Sequence, residues 1–176
     1  MMPEDEKLQS GEKGAVRMTG QDMQRVKQFL YSIRTTEFAI ANLERAILDI
    51  DTRRQSPPDW TRHPEAVRVS GGKNEPVLEA WVEFLDTYDA RRSFLEDSLA
   101  QQRRKVEQYN DTLALMAEEP NWGCLGAQIV EYKFRRRVKP DSAVYALHLF
   151  CGRETFYRGL KKALRFFCEA LPDRFG

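Results

Sequence analysis

Apolar residues return every seven positions along two long stretches of this chain. In the first, Val26, Ile33, Ile40 and Ile47 make one series. Phe29, Leu43 and Ile50 stand three places further on, with Thr36 the single polar interruption. A repeat of seven with paired positions is the pattern of a helix whose narrow apolar seam faces another helix. It predicts a helix from about Gln21 to Arg53, flanked by Glu37, Glu44 and Asp51. An amphipathic helix lying on a globular core gives much the same stripe over so few repeats. The second stretch runs longer. Trp81, Tyr88, Leu95, Gln102, Tyr109 and Met116 form one series, and Leu78, Leu85, Arg92, Leu99, Val106 and Leu113 the other. Pro76 suits the first turn of such a helix, where its missing N–H has no partner to lose. At 1.5 Å per residue, a helix from Pro76 to Glu118 is about 60 Å long, too long for the interior of a small domain. It has to be an arm of a helical hairpin, a seam between two copies, or both. Large aromatics in the seam favour contact among several helices, so an antiparallel hairpin is expected, able to pair again as a homodimer. Arg92 and Gln102, near mid-seam, are of the type that sets register at some loss of stability.

Breaks in the pattern divide the remainder. Residues 1–20 hold Glu, Lys, Gln, Ser and Gly with little bulky apolar surface, so a mobile segment is expected there. A connector over 55–75 contains Ser56-Pro57-Pro58, His63-Pro64 and Ser70-Gly71-Gly72, with Trp60 as an apolar pin onto the helices. Glu119-Pro120-Asn121 closes the long helix and offers Asn121 as the cap of the next. That helix is expected to reach about Val138, with Leu125, Ile129, Val130, Tyr132 and Phe134 inward. Lys139-Pro140-Asp141 restarts the chain with Asp141 as N-cap of a short helix in which Val144, Ala146, Leu147, Leu149 and Phe150 are expected to be buried. Ala146 falls where two helices need a small side chain to approach, and Gly152 where a turn needs dihedral freedom. A final helix over 153–170 turns Phe156, Leu160, Ala163, Leu164 and Phe167 to the core. The expected architecture is all-α: a long, coiled-coil-like helical hairpin over 21–118, then a helix-turn-helix head over 119–176.

Charge sharpens the division. The formal net charge is +1, but from Ala127 onward eleven Lys and Arg stand against five Asp and Glu, and the part before it is acidic. A basic end on a mildly acidic body points to a polyanionic partner for the head. Cys124, Cys151 and Cys168 are odd in number and too widely spaced for a zinc knuckle. They are expected to be reduced thiols, each a small core residue of a cytosolic chain. The N-terminus lacks the apolar segment of a secretory signal, and no stretch nears the ~18 apolar residues of a membrane span. With His63 and His148 the only histidines, and no phosphate loop, metal-ligand pair or nucleophile elbow, no enzyme and no cofactor or metal is expected.

The last helix carries the candidate chemistry. Setting its apolar positions inward leaves Arg153, Glu154, Tyr157, Arg158, Lys161, Lys162 and Arg165 outward, with Thr155 in the first turn. Cations neutralise phosphates, while the first turn of such a helix reaches base edges in the major groove. A solvated charged face is the bland alternative. Arg135-Arg136-Arg137, at the end of the helix that follows Asn121, either complement its dipole or add phosphate contacts.

The residues Ala146-x-x-Leu149-x-Cys151-Gly152-x-x-Thr155-Phe156-x-Arg158, followed by Lys161, Ala163, Leu164 and Leu171, resemble the helix-turn-helix of sigma-factor region four. They look closest to phage regulators of the ArpU/RinA type, whose turn carries an aliphatic residue and Ser where this chain has Cys151-Gly152. Ile129, Tyr132 and Phe134 sit where that family has its preceding Ile-x-x-x-Tyr helix, and the connector and long helix match in outline. The resemblance implies an activator of phage or prophage late genes in a bacterial host cytoplasm. It would bind double-stranded DNA near a promoter, touch host RNA polymerase, and place Arg153, Thr155 and Tyr157 nearest the bases. A DNA-packaging protein of the small-terminase kind, or a coiled-coil adaptor that binds protein alone, are the competing classes.

Overall fold

The computed structural model describes residues 19–55 and 75–171, excepting the side chains of residues 75–78, 80 and 81. The expected N-terminal segment before Thr19, the connector with Trp60, and seam residues Leu78 and Trp81 lie outside the described residues. Those described are all-helical. Two long helices, α1 (Gly20–Gln55) and α2 (Glu75–Ala117), form the hairpin. Three shorter ones follow: α3 (Gly123–Val130, continued as a π-helix over Glu131–Arg135), α4 (Asp141–Ala143, continued as a π-helix over Val144–His148) and α5 (Arg153–Ala170).

The heptads do what their spacing predicts. Every seam position of α1, and every described one of α2, is buried or half-buried, Thr36 and Gln102 included. Ion pairs across the seam give its direction. Arg54 meets Asp89 at 3.2 Å, Arg92 meets Asp51 at 2.8 Å, and Arg103 meets Glu44 at 2.7 Å, so numbers rise along one helix as they fall along the other. Arg92, the basic interruption of the seam, also reaches Glu96 at 2.9 Å, and its hydrogen bond to Asp51 raises its affinity for its proton. It is thus a register pin rather than a gap in the apolar stripe. At the start of α1, Thr19 donates its N–H and hydroxyl to the Asp22 carboxylate and accepts the Asp22 N–H. That reciprocal cap holds the Asp22 carboxyl below its usual range and satisfies helix-end donors.

The deepest core lies at one end of the hairpin. Val26, Phe29, Leu30 and Ile33 of α1 and Tyr109 and Met116 of α2 close over Ile129, Val130, Phe134, Val144, Phe156, Leu160, Ala163, Leu164 and Phe167. Packing therefore runs without a seam from the hairpin into the helices that follow it, up to Leu171. Small residues set the crossing of α3 on α5, though not the expected one. Ala146 is exposed, while Gly159 is buried and a Cβ there would lie 2.7 Å from Ile129 Cδ1. Where α3 meets the end of α2, a Cβ on Gly123 would lie 2.0 Å from the Met116 carbonyl oxygen.

Several local expectations are corrected. Asn121 does not cap α3: it takes a φ of 69°, and Trp122 stands at the N-cap with no side-chain bond. Pro140, not Asp141, is the N-cap of α4. The carboxylate of Asp141 is used instead by Lys133 and by the Tyr157 hydroxyl, 3.4 Å away, which ties α3, α4 and α5 together. Of the residues expected inside α4, Val144 is buried and Leu149 half-buried, while Ala146, Leu147 and Phe150 face solvent. Gly152 has an ordinary φ of −71° and serves as N-cap of α5. Left-handed backbone falls on Phe150 instead, at φ 49°. There the Leu149 N–H bonds to Val144 O at 3.0 Å and the Cys151 N–H to Tyr145 O at 2.9 Å. The end of α3 repeats this turn around Arg137, at φ 55°, with Arg136 N–H on Glu131 O and Val138 N–H on Tyr132 O. A side chain in this region costs roughly 1 kcal/mol. Cys151 and Cys168 pack half-buried against the core and burial pushes the Cys168 thiol up, but Cys124 is exposed rather than a core residue.

Candidate nucleic-acid interface

Helix α5 begins after a four-residue link from α4 and has one fully committed side. Phe156, Gly159, Leu160, Ala163, Leu164 and Phe167 are buried, at the spacing of a single helix face. The opposite side holds Arg153, Glu154, Thr155, Tyr157, Arg158, Lys161, Lys162 and Arg165, all of them exposed. Its cations are arranged by weak local contacts. Arg158 pairs with Glu154 and Arg165 with Glu169, each at 2.7 Å across one helical turn. Arg153 lies 5.9 Å from the Tyr157 ring centre and Lys162 lies 5.7 Å from that of Trp122. Exposed pairs of this kind contribute about 0–1 kcal/mol each, so the groups are free to exchange them for another anion. The Tyr157 hydroxyl is taken up by Asp141, which orients its ring against Phe156 at 5.1 Å.

The three consecutive arginines separate into different roles. Arg135 is one-third exposed and is held between Glu37 at 2.5 Å and Glu131 at 3.4 Å. Its guanidinium also lies 5.9 Å from the centre of the buried Tyr109 ring. The bond to Glu37 raises its proton affinity further. Tyr109 is fully buried, and burial and the nearby Glu131 charge push its phenol well up, which keeps it neutral. Arg135 therefore clamps α3 to α1. Its replacement by Ala should lower unfolding free energy by about 1–2 kcal/mol, since it strands the half-buried Glu37 carboxylate and leaves Glu131 with Arg136 as its cation. Urea melts of Arg135→Ala and Glu37→Gln, singly and together, would show coupling between the two if the clamp is real; strictly additive losses would dismiss it. Arg137 bonds through Nη2 to the Tyr31 carbonyl at 2.8 Å. Arg136 remains exposed, 3.3 Å from Glu131 and 4.8 Å from the Tyr132 ring centre, on which His148 also stacks at 4.7 Å. With Arg34, Glu37, Phe38, Ala41 and Arg135 it lines an open groove of about 550 Å³ beside α1.

Reading the residues alone missed two surface features. Leu147 is 67% exposed and Phe150 is 85% exposed, next to the start of α5. Both are apolar, so a pattern argument sends them inward, and nothing local signals the opposite. Among the described residues, no group of three or more His, Cys, Asp or Glu is placed to hold a metal ion, and no helix is long and apolar enough to cross a membrane. Comparison with protein-family models, with curated proteins and with solved structures returns no match for this chain.

Proposed function

We propose that the chain is a DNA-binding transcriptional regulator that lays α5 in the major groove of double-stranded DNA. The observation that carries this reading is the outward face of α5, where five cations, a threonine and a tyrosine lie exposed on a helix whose other side is locked into the core. A short helix and four-residue link precede it, the local order of a helix-turn-helix. Arg158, Lys161, Lys162 and Arg165 neutralise phosphates, and Arg153, Thr155 and Tyr157 lie nearest base edges. The likeness to ArpU/RinA-type regulators extends this to activation of phage or prophage late genes, with host RNA polymerase and a second copy of the chain as partners. The hairpin then sets the spacing of two heads along DNA.

Gel-shift titrations test it. Arg158→Ala and Lys161→Ala should weaken binding to all duplexes alike, whereas Arg153→Ala should cost about 1–3 kcal/mol on a preferred duplex and relax the preference. Unchanged low-salt affinity in all three variants would sink the assignment. A packaging role gains support from Phe38, Leu48 and Phe94, apolar residues exposed along the hairpin where further copies can attach. Light scattering separates the two, because a regulator is a monomer or dimer and a packaging protein a larger ring.

A further inference from the structure

We propose that Phe150, with Leu147 beside it, is an apolar reader of duplex DNA, its ring resting on a thymine methyl group next to the bases reached by the first turn of α5. The inference depends on the DNA-binding reading of α5 and adds a specificity contact to it. Elsewhere in the head, large apolar side chains such as Phe134, Val144, Phe156 and Phe167 are completely buried. Phe150 is 85% exposed, so its ring adds little to the core. Its backbone is left-handed, where a bulky side chain is disfavoured, and two hydrogen bonds on either side of it hold it so. The matching turn after α3 uses its left-handed residue internally, since Arg137 reaches back to the Tyr31 carbonyl. Phe150 instead turns its ring to solvent, three residues before α5 begins. An apolar group kept outside at a conformational cost is best explained by something that covers it.

Charge selects the occupant. Arg153 follows Phe150 by three residues, and the nearest carboxylate in sequence, Glu154, is held by Arg158 at 2.7 Å. The patch is therefore apolar at its centre and cationic at its edge. Duplex DNA presents the matching surface, with phosphates around a groove in which the thymine C5 methyl is the apolar mark that separates T·A from the other pairs. Leu147, three residues before Phe150 and 67% exposed, offers a second apolar side chain to the same contact.

The test uses the full chain and duplexes selected by it from a random pool. Phe150→Gly and Phe150→Asn both accept left-handed backbone, and both remove the ring. Each is expected to melt at or above the temperature of the unmodified chain. Each should also bind the best selected duplex about four-fold more weakly, the worth of roughly one buried methylene. Replacing thymine by uracil, which deletes only the methyl, should cost the unmodified chain the same factor at one position and leave both variants indifferent. A drop in melting temperature in both variants would overturn the proposal, because the ring would then serve the fold. So would a flat uracil scan with undiminished binding by the variants. If Arg158→Ala and Lys161→Ala still weaken binding in that case, α5 reads DNA and Phe150 meets a protein. If they do not, the reading of α5 has failed as well.

Discussion

Phe167→Ala is expected to remove about 3–5 kcal/mol of stability and to melt the end of the hairpin together with the three short helices in one transition. The side chain is fully buried, and it joins three helices at once. From α5 it packs on Phe29 of α1 with ring centres 6.5 Å apart and on Tyr109 of α2 at 5.9 Å. Truncation leaves a void bounded by aromatic rings that cannot collapse without moving helix axes, which puts the cost at the upper end for such changes. Against a typical total of about 5–15 kcal/mol, a loss of this size is readily measured. The informative readout is coincidence. With Trp60 and Trp81 changed to Phe, fluorescence reports on Trp122, which packs edge-on against Phe166 at 6.1 Å. Far-UV circular dichroism is dominated by α1 and α2. Superimposed curves, both shifted by the substitution, are what a shared core demands. Separate transitions, with the helical signal unmoved, would mean that the hairpin folds without the head.

That coupling was only half legible in the sequence. The seven-residue repeats determine the hairpin because every described seam position answers the same question, which side meets a helix, and the answer holds from Val26 to Ile50 and from Leu85 to Met116. The outward face of α5 was legible for the same reason: 18 residues of strong periodicity leave one arrangement that buries Phe156, Leu160 and Phe167 together. Where the elements are short, the pattern has too few turns to fix a face. From Val144 in α4 to Phe150 just after it, five apolar residues within seven positions cannot all face inward, and the core takes Val144 and part of Leu149. Left-handed residues at Arg137 and Phe150 carry no signal either, because neither is glycine or asparagine and the two bonds that hold each turn come from its own backbone. Gly159 was a visible small residue, but its need for close approach depends on Ile129, thirty residues earlier on another helix. The division of labour among Arg135, Arg136 and Arg137 depends on Glu37 and Tyr31, about a hundred residues away in the chain. By contrast the Thr19-x-x-Asp22 cap was readable. It was hidden by a polar, glycine-containing neighbourhood that looks unstructured as far as Gly20.

Removing four of the cations from the outward face of α5 should change DNA affinity more than any other alteration that leaves the fold intact. In a chain with Arg158, Lys161, Lys162 and Arg165 all replaced by Ala, the slope of log affinity against log salt should fall by about 3–4, at roughly 0.9 for each phosphate no longer neutralised. The same relation makes the loss about a thousand-fold at 0.15 M salt, shrinking toward nothing at 1 M, because counterion release supplies the energy and high salt cancels it. The carboxylates sharpen the effect. With Arg158 and Arg165 gone, Glu154 and Glu169 stand unpaired on the face proposed to meet phosphates, each now repelling rather than neutralised. Stability should hardly move. Each ion pair removed across one turn is worth about 0.3–0.5 kcal/mol, and alanine's higher helix propensity returns a similar amount. Lys162 gives up its place beside the Trp122 ring, worth about 0.5–1 kcal/mol at an exposed site. A variant that melts within a few degrees of the unmodified chain but loses its salt slope ties binding to this face rather than to folding. One that keeps both affinity and slope would move the interface elsewhere, to Arg136 and the groove it lines with Arg34 and Phe38.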